Sequence, residues 1–200
     1  MRCLYCDRNI DKQTIKSVFL KEDELCPECR RQLRVNRKIL DFDGMKVETF
    51  FEYDGIFRSL LLQFKECHDE ALKNVFLYDL SEYINIRYFG YKILFVPSSK
   101  AKLEQRGFNH LEEIFSEVRL KKADGLRMIE DGSQEGKNLE ERRKMSTNYV
   151  YTGAPHKKIL VVDDVVTTGS SLKGVYNCVK TSAGKVKVLS LAYKCFTLHY

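Results

Sequence analysis

The stretch ILVVDDVVTTGSSL, residues 159 to 172, runs from apolar side chains into two adjacent carboxylates, Asp163 and Asp164, and on into Thr167, Thr168, Gly169, Ser170 and Ser171. A strand that ends in acids and turns through hydroxyls and a glycine into a helix is a cradle for an anion. The glycine lets the backbone fold back, successive N–H groups and the helix N-terminus favour a phosphate, and the hydroxyls add donors. Two neighbouring carboxylates suit vicinal hydroxyls such as those of ribose, and they favour a nearby Mg²⁺. Side by side, like charges repel unless a cation or hydroxyl donors stand between them. One of the pair is therefore expected to titrate above the ordinary aspartate value in a partly desolvated site. On this reading both are needed for the ligand and dispensable for the fold. The alternative is a structural pair that cages the backbone of the following turn.

Cysteine provides the second chemistry. Of seven cysteines, four form two Cys-x-x-Cys pairs, Cys3 with Cys6 and Cys26 with Cys29, nineteen residues apart. Four thiolates at this spacing close a tetrahedral site with no open position, the arrangement of structural rather than catalytic zinc. The alternative is four buried or oxidised thiols. Residues 1–32 have little apolar periodicity and no core of their own, so zinc would supply their folding energy. Cys67, Cys178 and Cys195 lack motif spacing and read as buried free thiols.

The chain that must position these groups has 200 residues, enough for one good core and a small appendage. With 44% hydrophobic and 31% charged residues, its composition is that of a soluble globular protein. No apolar run approaches the ~18 residues of a membrane span, and MRCLYCDRNIDK lacks the apolar core of a signal peptide, so the expected location is cytoplasmic. Of the net charge of +6, residues 151–200 hold +5, from seven lysines against Asp163 and Asp164. These lysines are either a solvated surface or one that attracts a polyanion. Lys173, Lys180, Lys185 and Lys187 are the candidates for the latter. Arg30, Arg31, Arg34, Arg37 and Lys38 form a second basic run, read as a short helix with a solvated or nucleic-acid-facing side.

Periodicity predicts a strand at 46–54, helices at 55–65 and about 69–88, and a short apolar strand at 92–97. It continues with a helix at 106–118, a strand at 126–130, a polar loop over 131–147, and the strand NYVYT. The continuous apolar run KKILVVDD predicts a strand buried on both faces, followed by a helix at about 169–181 and a strand at 186–193. Alternating strands and helices predict an α/β fold with a mainly parallel sheet.

At this point the sequence resembles a known family. ILVVDDVVTTGSS is similar to the 5-phosphoribosyl-1-pyrophosphate (PRPP) loop of type I phosphoribosyltransferases. VPSSKAKLEQRGFNHLEEI resembles the Val-Pro … Arg-Gly-Phe-Asn-Gln segment of the ComF competence proteins, and QEGKNLEERR their Gln … Lys … Glu-Arg loop. The four-cysteine knuckle followed by YDGIFRSLLLQFK matches their layout, so the resemblance spans nearly the whole chain. It implies a sheet of the type I phosphoribosyltransferase type (46–200) behind a small amino-terminal zinc-binding module (1–45). It also implies roles by residue. Asp163 and Asp164 would meet the ribose hydroxyls as the catalytic pair, and Thr167, Thr168, Gly169, Ser170 and Ser171 would cradle the 5-phosphate. Ser98, Ser99 and Lys100 hold the place of the pyrophosphate loop, and Arg106 sits in the family signature. Gln134, Lys137, Glu141 and Arg142 lie in the flexible loop that closes over ligand in active transferases. His110 stands where the family commonly has Gln, and Leu139 where relatives often carry a basic residue.

From the residues alone, His110 reads as a partly exposed helix residue rather than a base. Arg106 either meets ligand or pairs with Glu112 or Glu113. The resemblance implies a cytoplasmic protein of natural transformation that binds incoming single-stranded DNA and works with the translocase ComFA and the recombination mediator DprA. Its cofactors would be a structural Zn and Mg²⁺ carried with PRPP. The alternative is an active phosphoribosyltransferase acting on a nucleobase or related acceptor.

Overall fold

The apolar run before Asp163 becomes an interior strand of the main sheet. The computed structural model describes residues 1–10, 22–67, 69–129 and 149–195. In chain order its elements are α1 (Pro27–Gln32), β1 (Lys38–Phe42), β2 (Met45–Glu52), α2 (Gly55–Glu66), a 3-10 turn (Glu70–Asn74) and α3 (Ser81–Arg87). There follow β3 (Lys92–Phe95), α4 (Lys100–Arg106), α5 (His110–Ile114), β4 (Leu126–Met128), β5 (Tyr149–Tyr151), β6 (His156–Val166), α6 (Ser170–Val179) and β7 (Ala183–Tyr193).

The main sheet has the order β1-β2-β7-β6-β3. The pairs β2–β7, β7–β6 and β6–β3 are parallel, and only β1 runs antiparallel, to β2. Ile159, Leu160, Val161 and Val162 of β6 are all buried, so both faces of the strand are covered. On one face, Leu160, Val162, Leu189 and Phe50 meet α2, α3 and α5. On the other, Ile159, Val161 and Val188 meet α6 through Leu172, Val175 and Val179. Those three share one side of the helix by spacing, and each buried side chain contributes roughly 1.5–3 kcal/mol. Leu25 and Leu33, which flank the cysteine module, belong to the same buried cluster as α2, and Arg30 ties the module to the loop before α3 through the Val75 carbonyl at 2.9 Å. The β1–β2 hairpin joins residues on the two sides of position 45.

The mainly parallel α/β arrangement is as expected, and five local readings are corrected. The basic run is not a continuous helix: α1 ends at Gln32 and Lys38 opens β1. Most of its charge is paired, because Arg31 meets Glu28, Arg37 meets Glu48 and Lys38 meets Glu52, while Asp23 holds Arg30; of the five, only Arg34 has no ion pair among the described residues. The helix expected over 69–88 is two pieces. Leu72, Val75, Phe76, Leu77 and Leu80 are all buried, and no single stripe of one helix can bury so many adjacent positions. The helix expected over 106–118 ends instead as α4 at Gly107, which takes φ +74, and restarts where the Asn109 side chain caps α5. The strand at 126–130 forms β4 but pairs with β5 in a separate two-stranded sheet. The edge of β3 is already taken by residues 121–123, through Ile93 N–H to Lys121 and Ala123 N–H to Ile93. Of the three lone thiols, Cys67 and Cys195 are exposed and Cys178 is half-buried, donating to the Tyr149 carbonyl.

Candidate functional site

The carboxyl ends of β3 and β6 lie side by side, and the chain leaving each of them forms one wall of a cleft of ≈ 230 Å³. From β3 come Ser98 and Ser99, with α4 beginning directly behind them. From β6 come Asp163 and Asp164, and from α6 Ser171. A second, smaller concavity of ≈ 40 Å³ is enclosed by Asp163 and the turn Thr167–Thr168–Gly169–Ser170–Ser171. The two share Asp163 and Ser171, so the hydroxyl-lined turn and the cleft adjoin.

Gly169 makes the cradle possible. It holds φ +75 as the N-cap of α6, a conformation that costs an L-residue roughly 1–2 kcal/mol. A Cβ there would also lie 2.7 Å from the Phe42 ring of β1. Thr167, Thr168, Ser170 and Ser171 keep exposed hydroxyls around the open N-terminus of α6, with Thr168 and Ser170 2.7 Å apart. Gly169→Ala is therefore expected to destabilise the protein by the backbone cost plus the contact with Phe42. Denaturant unfolding should show Phe42→Ala relieving only the second part when combined with it.

The paired carboxylates are separated in role by what surrounds them. Asp164 is buried, and one of its oxygens receives both the Lys65 ammonium from α2 and His110 Nε2 from α5, the latter at 2.7 Å. Its other oxygen accepts the Val165 N–H at 2.6 Å. Burial opposes its ionisation, but the His110 hydrogen bond and the Lys65 charge outweigh burial and hold it below the usual carboxylate range. Asp163 accepts the Asp164 N–H at 2.9 Å and faces the cleft. Burial and the neighbouring Asp164 charge push its carboxyl well above the ordinary value. One of the two thus titrates high, as expected, while the other is a buried junction of α2, α5 and β6.

His110 is corrected from a partly exposed helix residue to a buried partner of Asp164. A carboxylate can only accept, so the ring donates through Nε2 and leaves Nδ1 as a buried lone pair without a partner. Burial lowers its pKa, and Lys65 and Arg106 add to that, against the pull of Asp164. Arg106 lines the cleft with its side chain almost wholly covered and pairs with Glu66 at 2.9 Å, not with Glu112 or Glu113. Lys100 does not reach the cleft. It is exposed and lies 3.9 Å from Glu104, and Lys102, two residues further on, lines the wall instead. Met128 and Tyr149 of the small sheet complete the opposite wall. Gln134, Lys137, Glu141 and Arg142 lie outside the described residues.

Lys65 was missed by motif reading, yet its signal is present. Phe57, Leu61 and Lys65 form one i, i+4 row, so the lysine continues the buried face of α2.

The four lysines proposed as a polyanion surface are not brought together. Lys173 and Lys180 belong to α6 and its C-cap and bond to Asp43 and Asn177 at 2.5 and 2.9 Å. Lys185 and Lys187 are exposed on β7, on the opposite face of the sheet from α6.

At the amino terminus, Cys3, Cys6, Cys26 and Cys29 place their sulfurs within 4.8 Å of one another, and all but Cys6 are buried. Tetrahedral zinc with bonds of about 2.3 Å requires sulfurs roughly 3.8 Å apart, and Cys6 and Cys26 are at 3.7 Å. Burial opposes ionisation of Cys3, but backbone N–H groups led by that of Cys26 bring its thiol down to about 6. The donor set fits a closed structural zinc site, with no position left for catalysis.

No protein-family model matches the chain. Over 179 residues it is 27% identical to the competence protein ComFC of Streptococcus pneumoniae, covering 84% of this chain and 80% of that protein. Among solved structures, a hypoxanthine phosphoribosyltransferase from Staphylococcus aureus aligns with a TM-score of 0.35 and 12% identity, over 62% of this chain and 64% of that one. Sequence similarity over most of the chain, a four-cysteine cluster at the amino terminus and a mainly parallel α/β sheet make this a ComFC-like chain, similar to the ComF competence proteins.

Proposed function

We propose that the chain is a competence protein for natural transformation. It would bind PRPP or a related phosphoribosyl ligand, with Mg²⁺, in the cleft at the carboxyl ends of β3 and β6, and incoming single-stranded DNA elsewhere on its surface. The competence role rests on the similarity to ComFC. The ligand class rests on one observation: a hydroxyl-lined turn at a helix N-terminus and a cleft containing a carboxylate adjoin, sharing Asp163 and Ser171. The cradle suits a terminal phosphate, Asp163 suits a ribose hydroxyl, and Ser98, Ser99, Lys102 and Arg106 suit a diphosphate. Mg²⁺, when bound with the ligand, offsets diphosphate charge. Zinc on the four cysteines is structural. No helix among the described residues is long and apolar enough to cross a membrane, and a cytoplasmic site of action with ComFA and DprA as partners fits the family resemblance.

Titrating labelled single strands with and without PRPP and Mg²⁺ tests both halves. Binding to the strand should weaken with salt, with a log–log slope of about 0.7 per phosphate neutralised. A chain that binds neither PRPP nor single strands contradicts the proposal. The second reading, an active transferase, is favoured by the same complete cradle. Pyrophosphate release with a panel of nucleobases would establish it.

A further inference from the structure

At the end of the sheet remote from the cleft, one face carries a cluster of lysines with no acid paired to them. Cross-strand register places Lys46 of β2 beside Lys187 of β7, and Lys158 of β6 beside Lys185. Alternation along β7 puts Lys185 and Lys187 on the same side as Leu189 and Leu191, whose apolar contacts are with α2, α3 and α5. All four lysines are exposed. Among the described residues none of the four has a carboxylate within ion-pair distance, whereas Lys65, Lys73, Lys122 and Lys173 each do.

Between this face and the end of α3 lies a groove of ≈ 300 Å³, walled by Lys46, Lys185 and Lys187 on one side and Arg87, Tyr88 and Tyr91 on the other. The acid in it, Glu48, is already neutralised. Tyr83, Tyr88, Arg37 and Arg87 all converge on its two oxygens at 2.5–3.1 Å. Although burial opposes its ionisation, those partners hold it at about 2. Aromatic surface accompanies the charge. Lys158 lies over the Tyr91 ring at 5.5 Å, and Phe89, between Tyr88 and Tyr91 in the chain, is 83% exposed. Unpaired cations that can track a backbone, together with an exposed ring on which a base can stack, are what a single-stranded nucleic acid requires.

We propose that this groove, with Lys46, Lys158, Lys185 and Lys187 as phosphate contacts and Phe89 as a stacking platform, is where the chain binds single-stranded DNA. The inference rests on the single-strand reading above and adds its location. The lysines of α6 take no part. The strand and the phosphoribosyl ligand occupy opposite ends of the sheet and do not compete.

The test is fluorescence anisotropy of a labelled oligothymidine over a salt series, with the full chain. Lys46, Lys185 and Lys187 changed together to Gln should weaken binding at least tenfold and reduce the log–log salt slope by about 2. Phe89→Ala should weaken it several-fold with the slope unchanged. Lys173→Gln with Lys180→Gln should stay within about twofold of the unmodified chain. All substituted positions are exposed, and circular dichroism melting confirms that each variant folds. If the groove variant binds normally while the α6 variant does not, the location is wrong and the single-strand reading stands. If duplex DNA or an acidic peptide competes as well as the oligothymidine, the assigned occupant is wrong. If the unmodified chain binds no single strand, the functional reading fails and the inference with it.

Discussion

Asp164→Asn should lower the melting temperature by about 6–20 °C, whereas Asp163→Asn should leave it unchanged or raise it. Removing one partner of a buried ion pair costs about 3–5 kcal/mol, because the other charge stays buried and unpaired. In a domain of this size each kcal/mol is worth roughly 2–4 °C. Here the stranded groups are Lys65 and His110. Asp163 carries the opposite sign. Its carboxyl is raised by burial and by Asp164, so ionising it costs stability, and Asn removes that cost. The pH dependence follows by linkage. Asp164, held low, contributes stability that is present above the unfolded value of about 3.9 and lost as pH falls through its folded value. His110, also depressed, begins to withdraw stability as pH drops below about 6.5. Asp163 contributes stability only while protonated, so the gain from Asp163→Asn should be present at neutral pH and vanish below about 4. Calorimetric melts of the unmodified chain and the two single variants from about pH 2 to 8 check all three statements. Equal melting temperatures for the two variants would contradict the division of roles.

Stripping zinc should have the larger effect. The chain is expected to contain one zinc, and structural zinc in small modules supplies an apparent ~10–16 kcal/mol at neutral pH. The loss should not stay local, because Leu25 and Leu33 are buried in the main cluster and Arg30 reaches the Val75 carbonyl. Cys26→Ser, or a strong chelator, is therefore expected to lower the melting temperature by more than about 10 °C and to reduce solubility. Elemental analysis and thiol titration under native conditions read the site directly. A metal-free protein whose four thiols all react at once would contradict it.

Local pattern carried those parts of the molecule whose cause is local. The apolar run before Asp163 is buried because both faces of β6 are covered, and the glycine and hydroxyls after it form the cradle through their own backbone conformation. The cysteine spacing likewise sufficed to bring four sulfurs together. What escaped depends on distant partners. β1 opens at the end of a run of arginines and lysines, and Arg37 and Lys38 at that end are paired with Glu48 and Glu52 of β2, so the segment reads by composition as a solvated helix. Asp164 and Asp163 are adjacent in sequence and identical in type, and only Lys65 and His110, 99 and 54 residues away, distinguish them. His110 looks exposed beside Asn109 and Glu112 because the restart of α5 after Gly107 is what turns it inward.

The central claim is that Asp163 meets a phosphoribosyl ligand while Asp164 holds the fold. Isothermal titration of PRPP with Mg²⁺ into the unmodified chain and into Asp163→Asn tests it most directly. The account predicts one site per chain in the unmodified protein. It predicts roughly ten- to hundredfold weaker binding in the variant, corresponding to about 1.5–3 kcal/mol for a lost charge-assisted hydrogen bond, with no fall in melting temperature. Equal affinity in the two proteins, or no binding by the unmodified chain, would contradict it.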